Sequence, residues 1–173
     1  MSSIDHCRSF PYVASPEAEL LILGSMPGKK SLEAQQYYAH PQNVFWDIME
    51  SIFGIGRRLE YLHRLEGLLK SRVALWDVAF QCRRAGSLDA DIEMETVVPN
   101  DFENFFSHHR KIHTIFFNGQ KAEDLFRRLV VKNLTVVPKK LVRLPSTSPA
   151  HASLGREQKQ RKWRQGLTQM IDT

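Results

Sequence analysis

Glu19-Leu20-Leu21-Ile22-Leu23-Gly24 carries an unbroken aliphatic run that ends on a glycine and passes into Ser25-Met26-Pro27-Gly28. A short apolar run of this kind, bounded by turn residues, reads as a strand buried on both faces that enters a tight loop. Working outward, three further runs have the same character: Val73-Ala74-Leu75-Trp76-Asp77-Val78-Ala79, Ile112 to Phe117, and Leu141 to Leu144. Helical periodicity fills the spaces between them. Asn43 to Phe53 follows Pro41 and closes at Gly54; Leu59, Leu62, Leu65, Leu68 and Leu69 mark a second helix. Ala122, Leu125, Phe126, Leu129 and Val130 recur at i, i+3, i+4, i+7 and i+8, and a last helix holds Trp163, Leu167 and Ile171. Ser31 to Gln36 is a polar stretch. Gln81 to Asn100, with Gly86, Pro99 and the acids Asp89, Asp91, Glu93 and Glu95, reads as loop with room for one short helix.

Strands alternating with helices predict an α/β fold: a single three-layer α/β/α domain over residues 1–173, with a central four-stranded, mostly parallel sheet. In such sheets ligands bind beyond the carboxyl ends of the strands. The 173 residues are 42% hydrophobic and 25% charged, which argues against disorder and against a disulfide scaffold. Cys7 and Cys82 lie far apart and form no metal-ligand grouping, so no metal and no cofactor is expected, and the chain reads as cytoplasmic. The polar start, Met1 to His6, and the lack of a long apolar run argue against secretion and membrane insertion. A formal charge of +5 is compatible with a polyanionic partner. His109 and His113 have a metal-like spacing but no third ligand, and are assigned no function.

The unusual residues gather at the strand ends. Gly24 to Gly28 allows close backbone approach to a ligand, or is simply a turn. The segment Tyr37-Tyr38-Ala39-His40-Pro41-Gln42-Asn43-Val44-Phe45-Trp46 is a good lining for a planar base, with Phe45 and Trp46 packing beneath it. Asp77 closes an apolar strand, where burial is costly without a partner; it serves either a function or a loop cap. Asn118-Gly119-Gln120 and Pro145-Ser146-Thr147-Ser148-Pro149-Ala150-His151 are small and polar, suited to holding phosphates.

Taken in order, Gly24-Ser25-Met26-Pro27-Gly28, His40-Pro41-Gln42-Asn43-Val44-Phe45-Trp46 and Ser146-Thr147-Ser148-Pro149-Ala150 resemble the motifs of the uracil-DNA glycosylase superfamily, and within it the hypoxanthine-DNA glycosylase branch. The resemblance runs from about Phe10 to the last helix and includes Trp76-Asp77-Val78 and Phe117-Asn118-Gly119. It implies a DNA repair glycosylase that leaves an abasic site without a lyase step, acts as a monomer and needs no cofactor. In the mismatch-specific uracil/thymine branch an asparagine of the first motif positions the water, and here Met26 stands there. The main uracil branch has an aspartate at that place and a histidine where Ser146 falls. The resemblance therefore carries the catalytic role to Asn43, whose carbonyl can orient a water toward the sugar but is no strong base.

The same resemblance implies a base pocket made by Gly24, Ser25, Met26, Pro27, Tyr38, Phe45, Asp77 and Asn118, with Tyr38 stacked on the flipped base. Asp77 falls where the main uracil branch reads the base with asparagine; as an acceptor it suits N1–H of hypoxanthine and equally N3–H of uracil. Ser146, Thr147, Ser148, Pro149, Ala150 and His151 are implied to lie along the DNA, with Ser148 on a phosphate and Ala150 as a small wedge. Of the basic run Arg156, Lys159, Arg161, Lys162 and Arg164, Arg156 is the best phosphate candidate and the rest read as a solvated helix face. Three other readings stay open: a uracil or thymine mismatch glycosylase, an inert nucleic-acid-binding module on the same scaffold, and a small-molecule serine hydrolase, which lacks a nucleophile elbow and a histidine partner.

Overall fold

The structure is a computed structural model and describes residues 5–138 and 140–171, without the side chains of Asp5, Met170 and Ile171. The polar start from Met1 to Ile4, and the side chain of Ile171 named above in the last helix, lie outside the described residues. In chain order the elements are β1 (Asp5–Arg8), β2 (Leu20–Gly24), α1 (Lys29–Ala34), α2 (Phe45–Phe53), α3 (Tyr61–Lys70), β3 (Val73–Asp77) and β4 (Ala79–Arg84). They continue with β5 (Val98–Pro99), α4 (Phe102–His108), β6 (Thr114–Asn118), α5 (Gln120–Leu129), β7 (Lys140–Leu144) and α6 (Arg156–Ile171).

The four predicted strands form one sheet in the order β3-β2-β6-β7, every pair parallel. All five residues of β2, β3 and β6 are buried, which is why their sequences are apolar without alternation. Alternate side chains still go to opposite faces. Leu20, Ile22, Leu75 and Phe116 pack with Phe45, Trp46 and Met49 of α2, Leu68 of α3 and Trp163 and Leu167 of α6. Leu21, Leu23, Trp76 and Phe117 pack with Phe102 and Phe105 of α4 and Leu125 and Phe126 of α5. Helices on both faces of a parallel sheet make the three-layer α/β/α arrangement. No helix of the described residues is long and apolar enough to cross a membrane.

Several expectations need correction. Val73 to Ala79 is not one strand: the chain turns at Val78, whose N–H donates to Gly24 O at 2.8 Å while Ala79 N–H donates to Ser25 O at 3.0 Å. The next residues form β4, which pairs antiparallel with β1 and β5 in a small second sheet. Val78 in the turn and Ala79 at the start of β4 are both buried, so hydrophobicity alone does not mark the break. The Gln81 to Asn100 segment accordingly holds the rest of β4, two 3-10 turns (Asp89–Asp91 and Met94–Thr96) and β5. The polar stretch after Gly28 is helix α1, capped at Gln35 by a left-handed residue at φ 53°. Cys7 and Cys82, distant in sequence, face each other across β1 and β4, both buried and neither in a disulfide. His109 is a core residue, stacked on Phe105 with its Nδ1 against Phe105 O at 2.8 Å.

Candidate active site

The carboxyl ends of β2, β3, β6 and β7 open into a cavity of about 580 Å³. Parallel register sets Gly24 beside Asp77, and Asn118 beside Leu144. Gly24, Ser25, Met26 and Pro27 line the cavity with Tyr38, Asn43, Asp77 and Asn118, as does the whole stretch from Ser146 to His151. Two of the predicted residues stand elsewhere. Phe45 is fully buried behind Tyr38, the two rings stacked at 4.0 Å between centroids. Arg156 lies off the cavity and bonds Asp47 at 2.5 Å.

One wall is a closed hydrogen-bond network. Asn118 Nδ2 donates to Thr147 Oγ1 at 2.9 Å, and Thr147 N–H donates back to Asn118 Oδ1 at 2.9 Å. Thr147 O then accepts Val44 N–H at 3.1 Å, which locks the segment carrying Asn43 to the end of β6. Asn118 and Thr147 are thus committed to each other; the outward part of the loop is made by Ser146, Ser148, Pro149, Ala150 and His151. Gly119, at φ 94°, passes so close to Ser146 that a side chain there would crowd its Cβ. Lys159 departs from the solvated-face reading: it is only 4% exposed, and its ammonium donates to Ser148 O at 2.8 Å. Trp163 Nε1 donates to Pro145 O at 2.7 Å, so α6 holds the loop at both ends.

Asn43 is 8% exposed and its Oδ1 accepts the N–H of Phe45 at 3.0 Å, at the start of α2. That bond identifies the oxygen end of the amide and leaves it a second lone pair. Arg57, which nothing in the sequence reading singled out, donates to Asn43 O at 3.2 Å and Pro41 O at 2.5 Å and bonds Asp47. Its signal was weak because a lone arginine outside any motif reads as surface.

The opposite wall is electrostatically unfinished. Asp77 is 3% exposed; its Oδ2 has no hydrogen-bond partner, and the hydroxyl of Tyr38 also has none. A Cβ at Gly24 would collide with Asp77 Oδ1, so the first motif needs glycine here for steric reasons. Burial, with the carboxylate of Asp89 nearby, pushes Asp77 up to about 7, against a smaller opposing pull from Arg84. Tyr38 is pushed far up by burial and by Asp77. Tyr38 also sits at φ 55°, an uncommon conformation for an aromatic residue that turns its ring into the site.

Sequence reading passed over the group that completes this wall. The turn after β4 brings Ser87, Leu88, Asp89 and Ala90 against the cavity. Asp89 accepts the hydroxyl of Ser25 at 2.5 Å, Ser87 Oγ accepts Lys29 N–H at 3.0 Å, and Arg84 donates to Pro27 O at 2.8 Å. Arg84 is 1% exposed, and its Nε and one terminal nitrogen have no partner. Burial raises Asp89 as well, with Ser25 and Arg84 opposing. The only sequence signal was the density of acids between Asp89 and Glu95, which an exposed loop explains equally well.

Comparison with known proteins agrees with this geometry. Residues 10–171 match the family described as the uracil DNA glycosylase superfamily. The chain is 37% identical over 118 residues to a hypoxanthine DNA glycosylase of Methanosarcina barkeri, covering 68% of this chain and 73% of that protein. It is 38% identical, with the same coverage, to a hypoxanthine DNA glycosylase of Methanosarcina acetivorans. The solution NMR structure of a candidate uracil DNA glycosylase from Methanosarcina acetivorans superposes with a TM-score of 0.73 at 33% identity, over 93% of this chain and 98% of that one. The chain belongs to the uracil DNA glycosylase superfamily.

Proposed function

We propose that the protein is a DNA glycosylase that hydrolyses the N-glycosidic bond of a flipped deaminated base, with hypoxanthine preferred, and leaves an abasic site without a lyase step. The observation that carries this reading is the placement of Asn43 and Asp77 on one cavity at the ends of the strands, with the asparagine oxygen oriented by Phe45 N–H. The matches to two hypoxanthine DNA glycosylases support the choice of base. Departure of the base leaves positive charge on the sugar, and a water held by a fixed carbonyl needs little further activation. Asn43 Oδ1 supplies that carbonyl, held on the backbone side by Thr147 and Arg57. Asp77 faces the lactam edge of the base and Tyr38 lies along its ring. The outward residues Ser146, Ser148, Pro149, Ala150 and His151 take the flanking strand, and the protein acts as a monomer inside the cell.

The test uses duplexes with one hypoxanthine or one uracil, incubated with the protein in EDTA and then cleaved with alkali. Hypoxanthine release that drops at least about 100-fold in Asn43→Ala, the scale of a lost positioning group, is the expected result. Strands that stay intact before alkali are expected as well. Strong uracil release would move the chain to the uracil or thymine mismatch reading; binding to damaged DNA without release, unaffected by Asn43→Ala, would make it an inert module.

A further inference from the structure

From the burial of Asp77, its orphaned oxygen and the second carboxyl beside it, we infer that Asp77 reads the base as a neutral carboxylic acid, and that Asp89 is the positioning residue that keeps it so. This deepens the proposed function and rests on it.

Asp77 is 3% exposed and, among the described residues, its Oδ2 has no hydrogen-bond partner. A carboxylate in that condition is costly, and the usual resolution is to take up a proton. The charges that act on it most, Asp89 and Arg84, come from the segment following β3, and Lys29, Lys30 and Lys121 also line the cavity. Asp89 sits across the wall, fixed by the Ser25 hydroxyl; Arg84 is committed to Pro27 O and bonds neither acid. From the other side Asp77 is met by the phenols of Tyr37 and Tyr38 on the segment after α1, and more weakly by Tyr61 of α3. His40 and His151 also line the cavity. None of these groups donates a hydrogen bond to Oδ2.

The chemistry of the base makes the protonation state matter. Hypoxanthine presents N1–H, a donor, beside O6, an acceptor. A carboxylate can only accept, so it answers N1–H and leaves O6 unanswered. A carboxylic acid accepts N1–H with one oxygen and donates to O6 with the other, the same pair of bonds that an asparagine amide makes. Neutral Asp77 therefore does the work of the asparagine that stands at this place in the main uracil branch, and an amide in its place should do the same work at any pH.

The experiment is single-turnover release of hypoxanthine between pH 5.5 and 8.5 for wild type, Asp77→Asn, Asp77→Ala and Asp89→Asn. The wild-type rate should fall about tenfold from pH 6 to pH 8, as a single group near 7 loses its proton. Asp77→Asn should keep substantial activity with the fall removed, whereas Asp77→Ala is poor throughout. Asp89→Asn keeps an oxygen for the Ser25 hydroxyl but removes the charge that favours a neutral Asp77, so its fall should shift to lower pH; a fall at the wild-type pH would overturn the role given to Asp89. A fall that persists in Asp77→Asn would overturn the inference. So would a rate that is flat or rising in wild type, or an Asp77→Asn protein that melts normally yet matches Asp77→Ala. The carboxyl ¹³C shift of Asp77 in free wild-type protein gives a second reading: an ionised position at pH 6 overturns the inference whatever the variants do. Absence of hypoxanthine release at every pH would instead overturn the glycosylase reading, and this one with it.

Discussion

On the β6–β7 side of the cavity, Asn118 and Thr147 trade two hydrogen bonds and Thr147 passes a third to Val44. On the β3 side, Asp77, Tyr38 and Arg84 all keep buried polar atoms without partners. The first wall is complete in the free protein and serves to hold Asn43 still. The second is paid for in stability, and its Asp77 and Tyr38 atoms face the cavity where a polar group can meet them. A site that must position one group and recognise another divides the two tasks between two walls, because a satisfied network is rigid and an unsatisfied one has affinity to offer.

The largest effect on stability should come from the unfinished wall. Asp77 is held near 7 in the folded protein and near its ordinary value of 3.8 when unfolded. Between those values the native state binds more protons than the unfolded state, so stability falls as pH rises, and above about 7 the whole penalty is present. Asp77→Asn has no proton to lose. Relative to wild type it should gain on the order of a few kcal/mol at pH 8 and little at pH 4. Urea denaturation at the two pH values measures this; a difference that does not grow with pH would show that the wall carries no such strain.

The contrast between the walls also separates what was legible in the sequence from what was not. The four strands of the parallel sheet, four of the helices and the residues from Ser146 to His151 announce themselves through apolar runs, helical periodicity and turn residues, which depend on neighbours in sequence. Asn43, Tyr38 and Asp77 stand at strand or helix ends, where that pattern breaks. Arg84, Asp89 and Arg57 act across 57, 64 and 14 residues of chain, on Pro27, Ser25 and Asn43. Their partners are fixed by the fold, so no local pattern marks them. β4 was hidden for a related reason: Val78, at the turn between β3 and β4, is as buried as the strand residues on either side of it.

The complete wall should respond differently. Asn118→Ala removes both partners of Thr147 and leaves a buried N–H and hydroxyl unpaired, a loss of about 1–3 kcal/mol. The loop then no longer fixes Val44, so hypoxanthine release should fall as well, with the loss in the rate of the chemical step more than in DNA binding. Stability equal to wild type would mean that the Asn118–Thr147 pair does not hold this wall, and the comparison would lose its first half.

The smallest effect on stability is expected at Arg156, just outside the two walls. Its guanidinium bonds Asp47 on the surface, with its side chain 55% exposed, and Arg57 bonds the same carboxylate. An exposed pair of this kind contributes about 0–1 kcal/mol, and because Arg57 remains on Asp47, Arg156 can leave it at little cost. That makes Arg156 free to take a phosphate when DNA arrives. Arg156→Gln should melt within about 1 kcal/mol of wild type, yet the slope of log affinity against log salt should shrink by about one phosphate contact. An unchanged slope would leave Arg156 on Asp47 in the complex and confine the DNA contact to the Ser146 to His151 loop.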